Sequence, residues 1–213
     1  MSPSDGAGRQ ACAPPFPAAS VVLDANVLMR FYNCAALHAL GGAVRLVVSA
    51  HVYKECTRVG PEVRQRLRKL DLERRAITPG TLEWDELAVV RGGVCSPRDL
   101  GEDESIAICL AEATRGQAVP FATYDRRALS AAAGLGIATL DFLDTLAWLV
   151  GCGRLTAEEA DTIEAKAGPC DGWKRPAGCT GSIDDVRADR QASLLAQIGR
   201  RAAEPSPGRR PAR

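Results

Sequence analysis

Val21-Val22-Leu23-Asp24-Ala25-Asn26-Val27-Leu28 sets a short apolar run directly before an acid and then resumes an apolar pattern. Three apolar residues, two of them β-branched, read as a buried strand. Asp24 stands where that strand ends, and a helical stretch runs from Asn26 toward Leu40. The same alternation continues downstream. Arg45-Leu46-Val47-Val48 reads as a second strand, followed by a helix from His51 to Arg58 and a strongly charged helix from Pro61 to Arg75. Ser105 to Ala113 reads as an apolar helix opened by Glu102, Asp103 and Glu104, where acids suit the helix dipole. Val119 to Thr123 reads as a third strand, with Pro120 marking a strand start or an edge. A helix from Arg126 to Ala133 closes at Gly134 and Gly136, and Ile137 to Leu140 forms a fourth strand. Helices over 141–150 and 156–166 complete the pattern. Short apolar strands alternating with helices imply an α/β fold, a central parallel sheet flanked by helices.

The flanks differ in character. Residues 1–19 are rich in Pro, Ala and Gly and read as a disordered leader, residues 20–167 as the domain, and residues 168–213 as a basic C-terminal extension, partly disordered. One short helix is expected between Asp184 and Arg201. Hydrophobic residues make up 46% of the chain and charged residues 25%, so it can bury a core without disulfides. There is no apolar run of membrane-spanning length and no signal-peptide pattern, so the expected location is the cytoplasm, away from the membrane. The eight cysteines include no Cys-x-x-Cys pair and are expected as reduced thiols; a zinc site using Cys170 and Cys179 has poor ligand spacing. The net charge of +1 gives no global field for nucleic acid.

The chemistry is carried by acids. Ligands of an open parallel sheet bind beyond the C-terminal ends of its strands. Asp24 and Asp125 each follow a strand, while Glu55 and Glu102 lie near helix starts on the connections. Crowded carboxylates repel one another unless a cation neutralises them, and Mg²⁺ or Mn²⁺ prefers such oxygen ligands. A site of this kind can hold a phosphodiester and activate water. Competing catalytic sets are absent from the sequence: it has only His38 and His51, no Gly-x-Ser-x-Gly elbow and no glycine-rich phosphate loop after a strand.

Four segments in order resemble the PIN-domain (PilT N-terminus) nuclease family. The opening strand through Asp24 is similar to that family's first element, and Val48-Ser49-Ala50-His51-Val52-Tyr53-Lys54-Glu55 to its second acidic element. Gly101-Glu102-Asp103-Glu104-Ser105-Ile106-Ala107-Ile108 resembles the Gly-Glu helix of one subgroup, and Ala122-Thr123-Tyr124-Asp125 the Thr-x-Asp element. The resemblance covers about residues 20 to 165. It implies a three-layer PIN-like fold and a divalent-metal-dependent endoribonuclease that leaves a 5′-phosphate, often the toxin of a toxin–antitoxin pair. Asp24, Glu102 and Asp125 would bind Mg²⁺ or Mn²⁺, with Glu55 completing the shell or orienting water. The partners it implies are an RNA substrate and an antitoxin protein; a homodimer is a further expectation. Two features depart from the pattern: residues 102–104 are all acidic, leaving Asp103 and Glu104 as alternative ligands, and the chain extends beyond Gly168.

Plainer readings stand beside these. Asp24 and Asp125 could be helix caps, Glu55 an exposed helix residue, and residues 102–104 ordinary first-turn acids. Asp141 and Asp144 are expected to cap a helix. Asn26 could steady Asp24 or occupy a turn, and Thr123 could bond a metal-bound water or fill the strand. The basic run containing Arg64, Arg68 and Lys69 is either a solvated face or an RNA contact, as are Arg126 and Arg127 beside Asp125. The rival to the enzyme is a catalytically inactive PIN-like binding module acting through protein or RNA partners.

Overall fold

The computed structural model describes residues 20–42, 44–92 and 99–171, together with 174, 175, 179, 181, 183, 190 and 196. The leader expected at 1–19 and most of the helix expected between Asp184 and Arg201 lie outside these residues. In chain order the elements are β1 (Ser20–Leu23), α1 (Ala25–Asn33), α2 (Leu37–Leu40), β2 (Arg45–Ser49), α3 (Ala50–Arg58), α4 (Pro61–Leu67), β3 (Leu72–Arg75), α5 (Leu82–Val90), α6 (Leu100–Thr114), β4 (Phe121–Ala122), α7 (Arg126–Gly134), β5 (Thr139–Leu140), α8 (Phe142–Gly151) and α9 (Ala157–Asp171). The strands pair in the order β3-β2-β1-β4-β5, all parallel.

Successive strand residues face opposite sides of a sheet, and here both sides are covered. Val21, Leu23, Leu46, Val48, Ala122 and Leu140 pack with residues of α1, α3, α8 and α9. Val22, Val47 and Phe121 pack on the other side with residues of α6 and α7. The result is the expected three-layer α/β arrangement. No helix among the described residues is long and apolar enough to cross a membrane.

Two expectations about individual elements are corrected, and one element is added. The charged helix from Pro61 ends at Leu67, and Leu72–Arg75 is a fifth strand at the sheet edge, paired to Leu46–Ser49. Leu, Glu and Arg favour helices locally, but pairing to β2 overrides that weak preference. Arg45 and Arg75 hydrogen-bond Glu73, and Arg75 also bonds Glu112 of α6, so charge decorates and pins this edge. The stretch from Asn26 to Leu40 is two helices, broken at Ala35, whose φ of 58° is left-handed. Helix α5, capped by Thr81 Oγ1, has no counterpart in the sequence reading.

The domain also continues past the boundary expected at 167. Helix α9 runs to Asp171, Ile183 is fully buried, and the Ile183 amide donates to Asp161 at 3.0 Å. Asp141 and Asp144 cap α8 in a reciprocal box, as expected, and Arg190 Nη1 bonds both at 2.7 and 2.9 Å. Two described residues of the extension therefore meet the domain, Ile183 at α9 and Arg190 at the start of α8. Cys34, Cys56, Cys109, Cys152, Cys170 and Cys179 are free thiols.

Candidate functional site

The chain leaves β1 toward β2 on one side and returns to β4 on the other, so connections diverge between β1 and β4. Helix α1 follows β1 onto one face of the sheet, and α7 follows β4 onto the opposite face. A crevice at the C-terminal ends of two such strands is the usual ligand position of an open α/β sheet. Asp24 and Asp125 stand at its two lips.

Asp24 is 4% exposed and caps α1. Its Oδ1 accepts from the Ala25 amide at 2.7 Å, and its Oδ2 accepts from Asn26 Nδ2 at 2.8 Å and Thr123 Oγ1 at 2.7 Å. Asn26 Nδ2 also donates to Thr123 Oγ1, and Asn26 Oδ1 accepts from the Tyr124 amide at 3.0 Å. The Asp125 amide donates to Thr123 Oγ1 at 3.3 Å. Asn26 and Thr123 thus bolt the end of β1 to the end of β4 and orient Asp24. Asp125 caps α7 through Oδ1, which accepts from the Arg127 and Ala128 amides. Capping is real for both acids, and both nevertheless border the same cavity.

That cavity measures about 480 Å³. Asp24, Glu55, Glu102 and Asp125 all line it, with Asp99 as a fifth carboxylate and Lys54 and Arg58 as its permanent cations. Among the described residues, acids outnumber fixed cations there. Among the described residues no three acid, imidazole or thiol groups are clustered tightly enough to enclose an ion. The four acids ring a cavity rather than close on one point, as self-repulsion between carboxylates favours.

The run of three acids is resolved by helix phase. Glu102 borders the cavity; Asp103 accepts from Arg91 at 2.9 Å; Glu104 is buried with Oε1 2.7 Å from His51 Nδ1. Successive helical residues turn about 100°, so neighbours in sequence cannot share one target. Gly101 permits the approach of α6 to α3: a Cβ there would stand 3.1 Å from Val52 Cγ2.

The acids feel one another. Burial raises the Asp24 carboxyl above its ordinary range, offset by the Thr123 bond and reinforced by Glu55 and Asp125. Burial, followed by the charges of Asp24 and Asp125, pushes Glu102 up to about 7. A carboxyl raised in the folded state binds a proton that the unfolded chain has already released. Stability of the metal-free protein is therefore expected to fall as pH rises from the ordinary glutamate value of 4.5 toward about 7, then level off. Thermal melts in a chelator across this window check it, and Glu102→Gln should flatten the slope; a stability that climbs over the same window counts against it.

Sequence reasoning missed Asp99, His51, Lys54 and Arg58 as lining residues. Three of them were legible: His51, Lys54, Glu55 and Arg58 have i, i+3, i+4, i+7 spacing, one stripe of α3. Asp99 was not, because its left-handed φ of 64° before α6 has no sequence signature. Arg126 and Arg127 are exposed on the first turn of α7 and do not line the cavity. No protein-family model matches the chain, and no curated protein or solved structure is significantly similar to it.

Proposed function

We propose that this protein is a divalent-metal-dependent endoribonuclease acting at the crevice between β1 and β4. The observation that carries the reading is the gathering of Asp24, Glu55, Glu102 and Asp125 around one cavity at the strand ends. A buried Asp24 and a Glu102 raised to about 7 are what acids gathered without enough cations should display. The donor set is all hard oxygen, which suits Mg²⁺ or Mn²⁺, ions that need few carboxylates and retain water. Asp24, Glu102 and Asp125 would hold the ion. When bound, it supplies charge neutralisation at the phosphate and acidifies water.

The chain's own residues do the rest. Asn26 and Thr123 hold the Asp24 carboxylate in one orientation at the cavity. Glu55, the exposed member of the set, orients water at the cavity mouth. Lys54 and Arg58 on the same stripe draw the phosphodiester to an otherwise anionic cavity. Attack of water at phosphorus breaks the bond to the 3′ oxygen, leaving a 3′-hydroxyl and a 5′-phosphate. The PIN-domain resemblance adds a toxin role, with an antitoxin as partner, for which the adjacent reading frame is the test.

Saturating Mn²⁺ should stabilise the folded chain, because a ligand bound to the native state alone contributes about 2.7 kcal/mol at 100 times its Kd. For a domain of this size that is a melting-temperature rise of roughly 5–10 °C. RNA cleavage should appear with Mn²⁺ and vanish with a chelator. An unchanged melting temperature together with no cleavage of any RNA pool removes the proposal.

A further inference from the structure

We propose a second binding site: the cleft between α3, α4 and β3 holds backbone phosphates of single-stranded RNA beside the scissile position. The cleft measures about 460 Å³ and is lined by Tyr53, Arg64, Leu67, Arg68, Leu72 and Arg74, among others. Arg64 on α4 and Arg68 at its C-cap are one helical turn apart, so their guanidinium groups share a face. Arg74 comes from the edge strand, and its guanidinium lies 4.8 Å over the Tyr53 ring, a contact that orients the cation without neutralising it.

Charge pairing separates these arginines from their neighbours. Arg45 and Arg75 are neutralised by Glu73, and Arg75 also by Glu112. Among the described residues, Arg64, Arg68 and Arg74 have no carboxylate partner and no carboxylate lines the cleft. Three exposed, unneutralised guanidinium groups over a floor of Leu67 and Leu72 form a concave site where the field of fixed cations is concentrated. Lys69, on the same basic run, does not line it.

Position selects the ligand. Tyr53 and Thr57 line this cleft, whereas Lys54, Glu55 and Arg58 of the same helix line the acidic cavity. The two sites therefore flank α3, separated by about one helix diameter, ~10 Å. A strand with one phosphate at the acidic cavity reaches the arginine cleft within a few nucleotides. The division also answers an electrostatic difficulty: net charge is +1 and the acidic cavity repels polyanions, so affinity must come from a local cationic site. Assigning RNA as the polyanion rests on the nuclease reading; the cationic cleft does not.

The test uses the full chain, a fluorescein-labelled oligouridylate and a chelator to prevent cleavage. Affinity is measured across a salt series for the parent and for Arg64→Gln/Arg68→Gln/Arg74→Gln. Each single-strand phosphate contact contributes about 0.7 to the slope of log affinity against log salt. Loss of three should reduce the slope by about 2 and weaken binding on the order of 100-fold near 0.1 M salt. The corresponding triple Lys variant, which keeps the charges, should retain most of the slope, and melting temperatures show that all three proteins fold. Parental affinity and slope in the Gln variant, or no RNA binding by the parent, overturns the site. A parent that binds RNA through these arginines but never cuts it keeps the cleft and removes the nuclease reading. A parent that cuts RNA while the Gln variant binds undiminished removes the cleft alone.

Discussion

Asp24→Asn is expected to lower RNA cleavage by more than about 100-fold, since loss of even an outer partner of a metal ligand costs about 10–100-fold. Its stabilisation by Mn²⁺ should shrink in step. The structure refines what the substitution does to folding. Asparagine is nearly as good a cap as aspartate, but both Asp24 oxygens here accept hydrogen bonds from donors that include the Ala25 amide and Asn26 Nδ2. An amide must turn its NH₂ toward one of these, losing a bond worth about 1–3 kcal/mol when left unmet. Removing a buried negative charge from a repelling set acts the other way. The two effects oppose, so melting in chelator should move little compared with the loss of activity. A neighbouring contrast tests the helix phase: Glu102→Gln should impair cleavage strongly, whereas Glu104→Gln, which meets His51, should leave metal-dependent melting intact. Parental cleavage by Asp24→Asn would remove the site assignment altogether.

Phe142→Ala should give the largest stability loss, about 3–5 kcal/mol. Phe142 is 1% exposed at the start of α8. Its ring meets Phe31 edge-on at 6.2 Å between centroids and Tyr124 at 5.2 Å, with the Arg30 guanidinium 5.0 Å above it. Deleting the ring forfeits its burial and opens a cavity that α1, α8 and the β4 end cannot all collapse into. The expected fall in melting temperature is roughly 6–20 °C, with Phe142→Leu recovering most of it. Tyr124 precedes Asp125, so the loosened packing reaches the site, but no carboxylate is lost. Cleavage well below the melting temperature should therefore fall less than about 10-fold, a pattern opposite to that of Asp24→Asn. A Phe142→Ala protein that melts within about 2 °C of the parent would contradict the packing described for this ring cluster.

These contrasts bear on how sequence and structure divide the information. The apolar runs at Val21–Leu23 and Leu46–Val48, and the turn signals around Gly134 and Gly136, made the alternating strands and helices legible, because burial on both sheet faces demands continuous apolar strands. The acids after Val21–Leu23 and after the strand from Val119 to Thr123 were legible too, since a parallel sheet presents its strand ends on one edge. Leu72–Arg75 was not: its residues favour a helix locally, and the partner that makes it a strand lies more than twenty positions away.

What the sequence by itself determined is the layered parallel fold and the neighbourhood of Asp24 and Asp125, both consequences of local pattern and of strand direction. Only the tertiary structure decided which of residues 102–104 faces the cavity, which arginines are neutralised and which stay open, and where the extension docks through Ile183 and Arg190. The reason is physical. A helix's own period orders its side chains relative to one another, but its rotation against the sheet is set by packing between distant segments. An ion pair likewise exists only where folding brings two remote charges within reach.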